Sequence, residues 1–313
     1  MAKYRNTLPQ LDQQVFLTDT GLETTLIFRD GYELPSFASF VLLESDAGRE
    51  HIAQYYRTHA QIAQSVGAGF IFESVGWRAS RDWGEQIGYP PASLDQVNRD
   101  SIALMADVQR EFNSPNMPTV LSACIGPRGD AYSPATIMTA EEAATYHLDQ
   151  IRTYSETDAD MISALTMSYS AEAIGVVRAA ATLGMPVAIS FTVETDGTLP
   201  SGMMLGDAIK SVDDSTDGTT AYFSVNCAHP THFAAILDDA DWAQRIRGVR
   251  ANASRKSHAE LDESEELDAG DPHELAGEYA LLRARFPNFT VLGGCCGTEE
   301  QHLLEIALTC MPQ

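Results

Sequence analysis

Apolar residues along this 313-residue chain fall into two alternating patterns. Short runs bounded by Gly, Pro, Asp, Asn or Ser recur eight times, at Val15–Asp19, Phe70–Glu73, Thr119–Ala123, Met161–Leu165, Val187–Phe191, Tyr222–Asn226, Ile246–Arg250 and Thr290–Gly293. They are short and largely apolar, as expected of parallel strands buried on both faces. Longer segments between them repeat their apolar residues at the helical period. Ala47–Val66 places Ile52, Tyr55, Tyr56, His59, Ile62 and Ala63 on one stripe. Leu94–Glu111, Ala140–Ser155, Ala171–Leu183, Pro230–Leu237, Glu274–Phe286 and Glu299–Thr309 behave likewise. Helix starts are marked by Thr139 and Thr298, each followed by acidic residues, and by Asp271-Pro272 ahead of Glu274.

Eight strand–helix units in a chain of this length predict an α/β fold closed as a (β/α)8 barrel. No Gly/Ser-rich or Pro-rich linker interrupts the pattern, so residues 1–313 read as one domain. In such barrels chemistry collects at the C-terminal strand ends. That rule nominates Asp19 with Thr20, Glu73, Thr166, Ser190 and Asn226 as substrate-binding candidates. It also puts Cys227, after strand six, on the same face as Cys295 and Cys296, after strand eight. Adjacent strand residues point to opposite faces, so a shared site for the last two needs a bend where the strand ends. Gly293, Gly294 and Gly297 allow one. Three thiolates gathered this way would hold Zn²⁺ with its fourth position open, the mark of a catalytic site. Cys124 and Cys310 read as small buried hydrophobes, and His229 as a loop histidine beside Pro230.

Composition narrows the partners. The hydrophobic content is 44%, and no apolar run is long enough to span a membrane. The first residues show no secretory h-region. Five clustered cysteines argue for a reducing, cytoplasmic setting rather than a disulfide framework. With 20 basic and 44 acidic residues the formal charge is −24, which disfavours nucleic acid and anionic lipid and leaves small molecules as partners. A homo-oligomer is left open. The acidic stretch 260–271 reads as a solvated loop. Neither a dinucleotide-binding glycine motif, a phosphate-binding loop nor a Gly-x-Ser-x-Gly elbow occurs.

The motifs Thr18-Asp19-Thr20-Gly21, Gly126-Pro127, Ile189-Ser-Phe191, Val225-Asn-Cys227 and Leu292-Gly-Gly-Cys-Cys-Gly-Thr298 appear in this order. Together they resemble the homocysteine S-methyltransferase family over roughly residues 14 to 310. The resemblance implies zinc on Cys227, Cys295 and Cys296, methyl transfer from a sulfonium-type donor to homocysteine or a related thiol, and an Asp19 contact to the amino acid's ammonium. Two positions depart from the family pattern. Leu165-Thr166 stands where the family usually has Glu-Thr, and Trp77 where a tyrosine is common. The expectation is conserved chemistry in an altered pocket, with Glu73 taking over an ammonium contact, pairing with Arg78 or forming a rim salt bridge. Competing readings are a different thiol or selenol acceptor, redox exchange by the vicinal cysteines, and a non-catalytic zinc-binding barrel.

Overall fold

The computed structural model describes residues 2–112, 114–238, 240–264 and 266–311. Eight strands pair in parallel and in chain order: β1 Phe16–Leu17, β2 Gly69–Glu73, β3 Thr119–Ile125, β4 Met161–Met167, β5 Val187–Phe191, β6 Tyr222–Asn226, β7 Ile246–Ala251 and β8 Val291–Gly294. The ring closes where Phe16 and Leu17 of β1 pair with Val291 and Leu292 of β8. This is the predicted (β/α)8 barrel.

Alternation along each strand builds the interior. Phe16, Ile71, Val120, Met161, Ala188, Tyr222 and Val291 face inward at the N-terminal end and form an apolar plug. The intervening residues, such as Phe70, Phe72, Leu121 and Phe223, pack outward against the helices in the main core. Two residues further along β2 the inward position is Glu73, and along β3 it is Ser122, which shares a 2.7 Å hydrogen bond with Ser163 of β4. The barrel is therefore greasy below and polar above.

Helices lie where the 3.6-residue stripes predict them. Asp46–Ser65 starts at Ser45, whose side chain accepts from Gly48 N. Ala140–Ser155 starts at a Thr139–Glu142 capping box, and Pro272–Arg285 at Asp271. Two differences stand out. The segment from Pro230 makes a single turn, Pro230–Phe233, rather than reaching Leu237. A helix at Leu205–Ser215, between β5 and β6, has no counterpart in the sequence prediction. Among the described residues no helix is long and apolar enough to cross a membrane.

Candidate active site

The C-terminal mouth of the barrel opens into a cavity of about 240 Å³. Cys227, Cys295 and Cys296 line it, with their sulfurs all within 4.8 Å of one another and two of them, Cys227 and Cys296, 3.3 Å apart. Local backbone explains how adjacent cysteines share one site. Cys295 N donates to Ala251 O at 2.8 Å, continuing the β7–β8 ladder, and Thr298 N then donates back to Cys295 O at 3.1 Å. Gly297, third in that four-residue turn, has φ +77°, a value glycine takes without strain. The turn replaces strand alternation, so both side chains meet the Cys227 sulfur. Cys227 itself has φ +56° at the exit of β6, held by its N–H to Arg250 O at 3.0 Å.

Polar neighbours orient the sulfurs. Tyr132 Oη donates to Cys227 Sγ at 3.0 Å, and the amides of Asn252 and Asn226 approach Cys227 and Cys295 at 3.8 and 3.9 Å. Asn226 is fixed in turn: its Oδ1 accepts from Thr166 N and its Nδ2 donates to Thr166 Oγ1, both at 2.9 Å. With protons alone the thiols are badly matched. Hydrogen bonds from Cys295 and Cys296 hold Cys227 well below the ordinary thiol range. The same contacts push Cys295 up to about 12 and Cys296 well above its ordinary value. The three thiols thus compete for the same protons. A divalent cation relieves that competition by replacing the shared protons. Tetrahedral zinc with bonds of about 2.3 Å spaces its sulfurs about 3.8 Å apart, compatible with this cluster. The donor set fits zinc. Among the described residues no fourth His, Cys or carboxylate joins the three, and His229 instead caps the Pro230 turn.

Beside the sulfurs lies a buried ion cluster. Arg250 of β7 donates through Nη2 to Asp19 Oδ1 at 2.8 Å and through Nε to Gly294 O at 3.2 Å. Its Nη1 lies 2.9 Å from Glu73 Oε2. One guanidinium thus ties together the ends of β1, β2, β7 and β8. Burial raises Asp19 and Glu73 while Arg250 pulls both back down. Burial would likewise lower Arg250, but the two carboxylates outweigh it and hold it well above its ordinary value. The expected Glu73–Arg78 pair is not formed. Arg78 stacks between Trp77 and Trp83, its Cζ 3.9 and 3.7 Å from the ring centroids.

Of the nominated substrate residues, Asp19, Thr20, Glu73, Thr166 and Asn226 line the cavity, as does Leu165. Ser190 does not. It sits two residues beyond the inward-facing Ala188 on β5, and its buried hydroxyl has no hydrogen-bond partner among the described residues. Thr20 is engaged outward, its hydroxyl 2.8 Å from His59 Nε2 and 3.1 Å from Tyr55 Oη. The acidic stretch 260–271 reaches the cavity through Asp262, while Glu265 within it lies outside the described residues. Sequence reasoning passed over Arg250, Glu23 and Tyr132. Arg250 carried a signal, a charge at the end of a strand expected to be buried, which demands a partner. Tyr132 lies in an irregular loop after β3 with no pattern to mark it.

A parallel barrel with three sulfur donors at its mouth defines an α/β-barrel protein with a candidate metal centre. The sequence profile of the homocysteine S-methyltransferase family matches residues 16–310, and the chain belongs to that family. Its structure is similar to the homocysteine methyltransferase MmuM from Escherichia coli. The oxidized form of that protein superimposes with a TM-score of 0.74 at 16% identity, covering 96% of this chain and 97% of the other. The metallated form gives 0.72 at 15% identity, covering 95% and 96%. At these identities the likeness speaks for the fold. A search of curated proteins found no match.

Proposed function

We propose that this chain is a zinc-dependent thiol S-methyltransferase that moves a methyl group from a sulfonium-type donor to the sulfur of a small thiol. The observation that carries the reading is the three-sulfur cluster at a cavity mouth, with no fourth protein donor among the described residues. Cys227, Cys295 and Cys296 would hold the metal, leaving a position for the acceptor sulfur. When bound there, zinc supplies Lewis acidity that keeps the acceptor as a thiolate at neutral pH. A free thiol with a pKa of about 8.5 is only about 3% ionised at pH 7. Full ionisation is therefore worth a factor of about 30, or about 2 kcal/mol of barrier.

The rest falls to the chain's own residues. Tyr132, Asn226 and Asn252 orient the sulfurs, and Leu165, Val75 and Trp77 shape the apolar wall that excludes water. In the transfer, a new S–CH3 bond forms as the donor's S⁺–CH3 bond breaks. The donor leaves as a neutral thioether, and the acceptor's proton is released to solvent. Glu23, Asp130 and Asp262 on the cavity wall suit the approach of a cationic donor. Holding sulfur and methyl in line at near-attack distance must provide most of the remaining acceleration.

Metal analysis and turnover with a sulfonium donor and a thiol panel test the reading. About one zinc per chain and methyl transfer to at least one thiol are expected. Cys296→Ala should lose both. Full zinc occupancy in that variant would overturn the metal assignment. Thiol–disulfide exchange without methyl transfer would favour the vicinal-dithiol reading instead.

A further inference from the structure

We infer that the acceptor is a thiol bearing a carboxylate, held by Arg78, and that it needs no ammonium group. The inference rests on the methyl-transfer reading and names the substrate class of that same site.

The first support is the state of the two carboxylates at the barrel mouth. Asp19 and Glu73 are 3% and 5% exposed, and both already face the guanidinium of Arg250. The protein has built in the cation that these carboxylates would otherwise take from a ligand. A substrate ammonium arriving there would meet Arg250 as a like charge in a dry setting, which is costly. At the end of β4 the wall is Leu165, which offers a cation nothing.

The second support is Arg78. It lines the cavity and is only 7% exposed, yet among the described residues no carboxylate pairs with it. Its Nη1 makes one long contact, 3.4 Å to Gly129 O, and its buried Nε has no acceptor. A guanidinium has five N–H donors, and a buried one left without an acceptor is costly. The indoles of Trp77 and Trp83 lie against it at 3.9 and 3.7 Å, leaving its N–H edge to bind. That edge matches a carboxylate, which can accept two parallel hydrogen bonds. Burial lowers its pKa to about 10, against the pull of Tyr132, Asp130 and Glu23. It therefore remains charged at neutral pH.

Glu23 is a half-buried carboxylate on the cavity wall. Its Oε1 accepts from Ser39 Oγ at 2.8 Å, and burial raises its pKa. If Glu23 instead recruited an ammonium, amine-bearing ligands would be preferred, so the experiment includes them.

The test uses the zinc-loaded full chain and four methyl thioethers, which bind without turnover. 3-(Methylthio)propionate carries a carboxylate, 2-(methylthio)ethylamine an ammonium, methionine both, and 2-(methylthio)ethanol neither. Calorimetry and quenching of tryptophan fluorescence report binding. The acid should bind at least about tenfold more tightly than the alcohol, the range of a charge-assisted hydrogen bond, and methionine should gain nothing over the acid. Arg78→Met should remove the preference for the acid while leaving the alcohol unaffected, and Arg78→Lys should restore part of it. Melting curves establish that both variants fold. A preference for the amine or methionine, or equal loss for acid and alcohol in Arg78→Met, would overturn the inference. Turnover of the four matching thiols is measured in parallel. Discrimination in binding without methyl transfer to any thiol would sink the methyl-transfer reading and leave the carboxylate site standing. Better turnover with homocysteine than with the carboxylate thiol lacking an ammonium would keep the methyl-transfer reading and overturn the claim that no ammonium is needed.

Discussion

His59 shows how a single side chain sets a pH limit. It is 1% exposed, and its Nδ1 donates to Tyr55 O at 2.8 Å, so Nε2 is the acceptor for the Thr20 hydroxyl. Burial lowers its pKa from 6.5 to about 4. The folded value lies below the unfolded one, so the unfolded chain takes up the proton first. Stability from this residue is complete above pH 6.5 and is lost as pH falls toward 4. Between pH 7 and pH 4 the parent protein should lose about 2–3 kcal/mol more than His59→Gln, measured by urea unfolding. Equal losses would show that His59 does not titrate in this range. Glu73 and Arg250 mark how far such residues can be read from sequence. Glu73 stood out as a charge at the end of a buried strand, whereas Arg250 was passed over. Their pairing did not stand out, because β2 and β7 meet only through barrel geometry and Arg78 was nearer in sequence.

The turn from Cys295 to Thr298 converts a strand end into a corner of the candidate metal centre, and Gly297 is its vulnerable point. A Cβ added there would lie 2.7 Å from Asp268 O, at a φ of +77° that alanine resists. Gly297→Ala should cost about 1–3 kcal/mol in strain. It should also weaken zinc binding at least tenfold in chelator competition, roughly the effect of disturbing a metal site's supporting shell. Unchanged affinity would mean the sulfurs converge without this turn. The glycines made the bend legible in advance. Other elements were less so. In the helix Leu205–Ser215 the buried residues Leu205, Ala208, Ile209 and Val212 keep helical spacing. The preceding loop, with Gly197, Pro200 and Gly202, masks where that pattern begins. At the end of β4, Thr166 has φ +62° and its backbone is held by the Asn226 side chain, sixty residues away in sequence. No local pattern could announce that. Eight short apolar runs were readable because each is buried on both faces, which a local window captures.

At the scale of the molecule, a net charge of −24 makes the surface repel itself. Added salt shortens the range of that repulsion, from about 10 Å at 0.1 M to about 3 Å at 1 M. Stability should therefore rise with sodium chloride by about 1 kcal/mol, a melting shift of a few degrees. A fall would mean that exposed pairs such as Arg57 with Glu50 and Glu111 outweigh the repulsion. Barrel closure also has a consequence for how the protein is made. Gly294 N donates to Asp19 O at 3.0 Å, so the start of the fold waits for its last strand. Two of the three sulfurs follow that same strand, while Cys227 is translated well before them. A nascent or truncated chain ending before β8 has one thiol of the cluster and an unclosed ring. On the proposed zinc reading, only chains synthesised through β8 would have all three sulfurs to offer a metal.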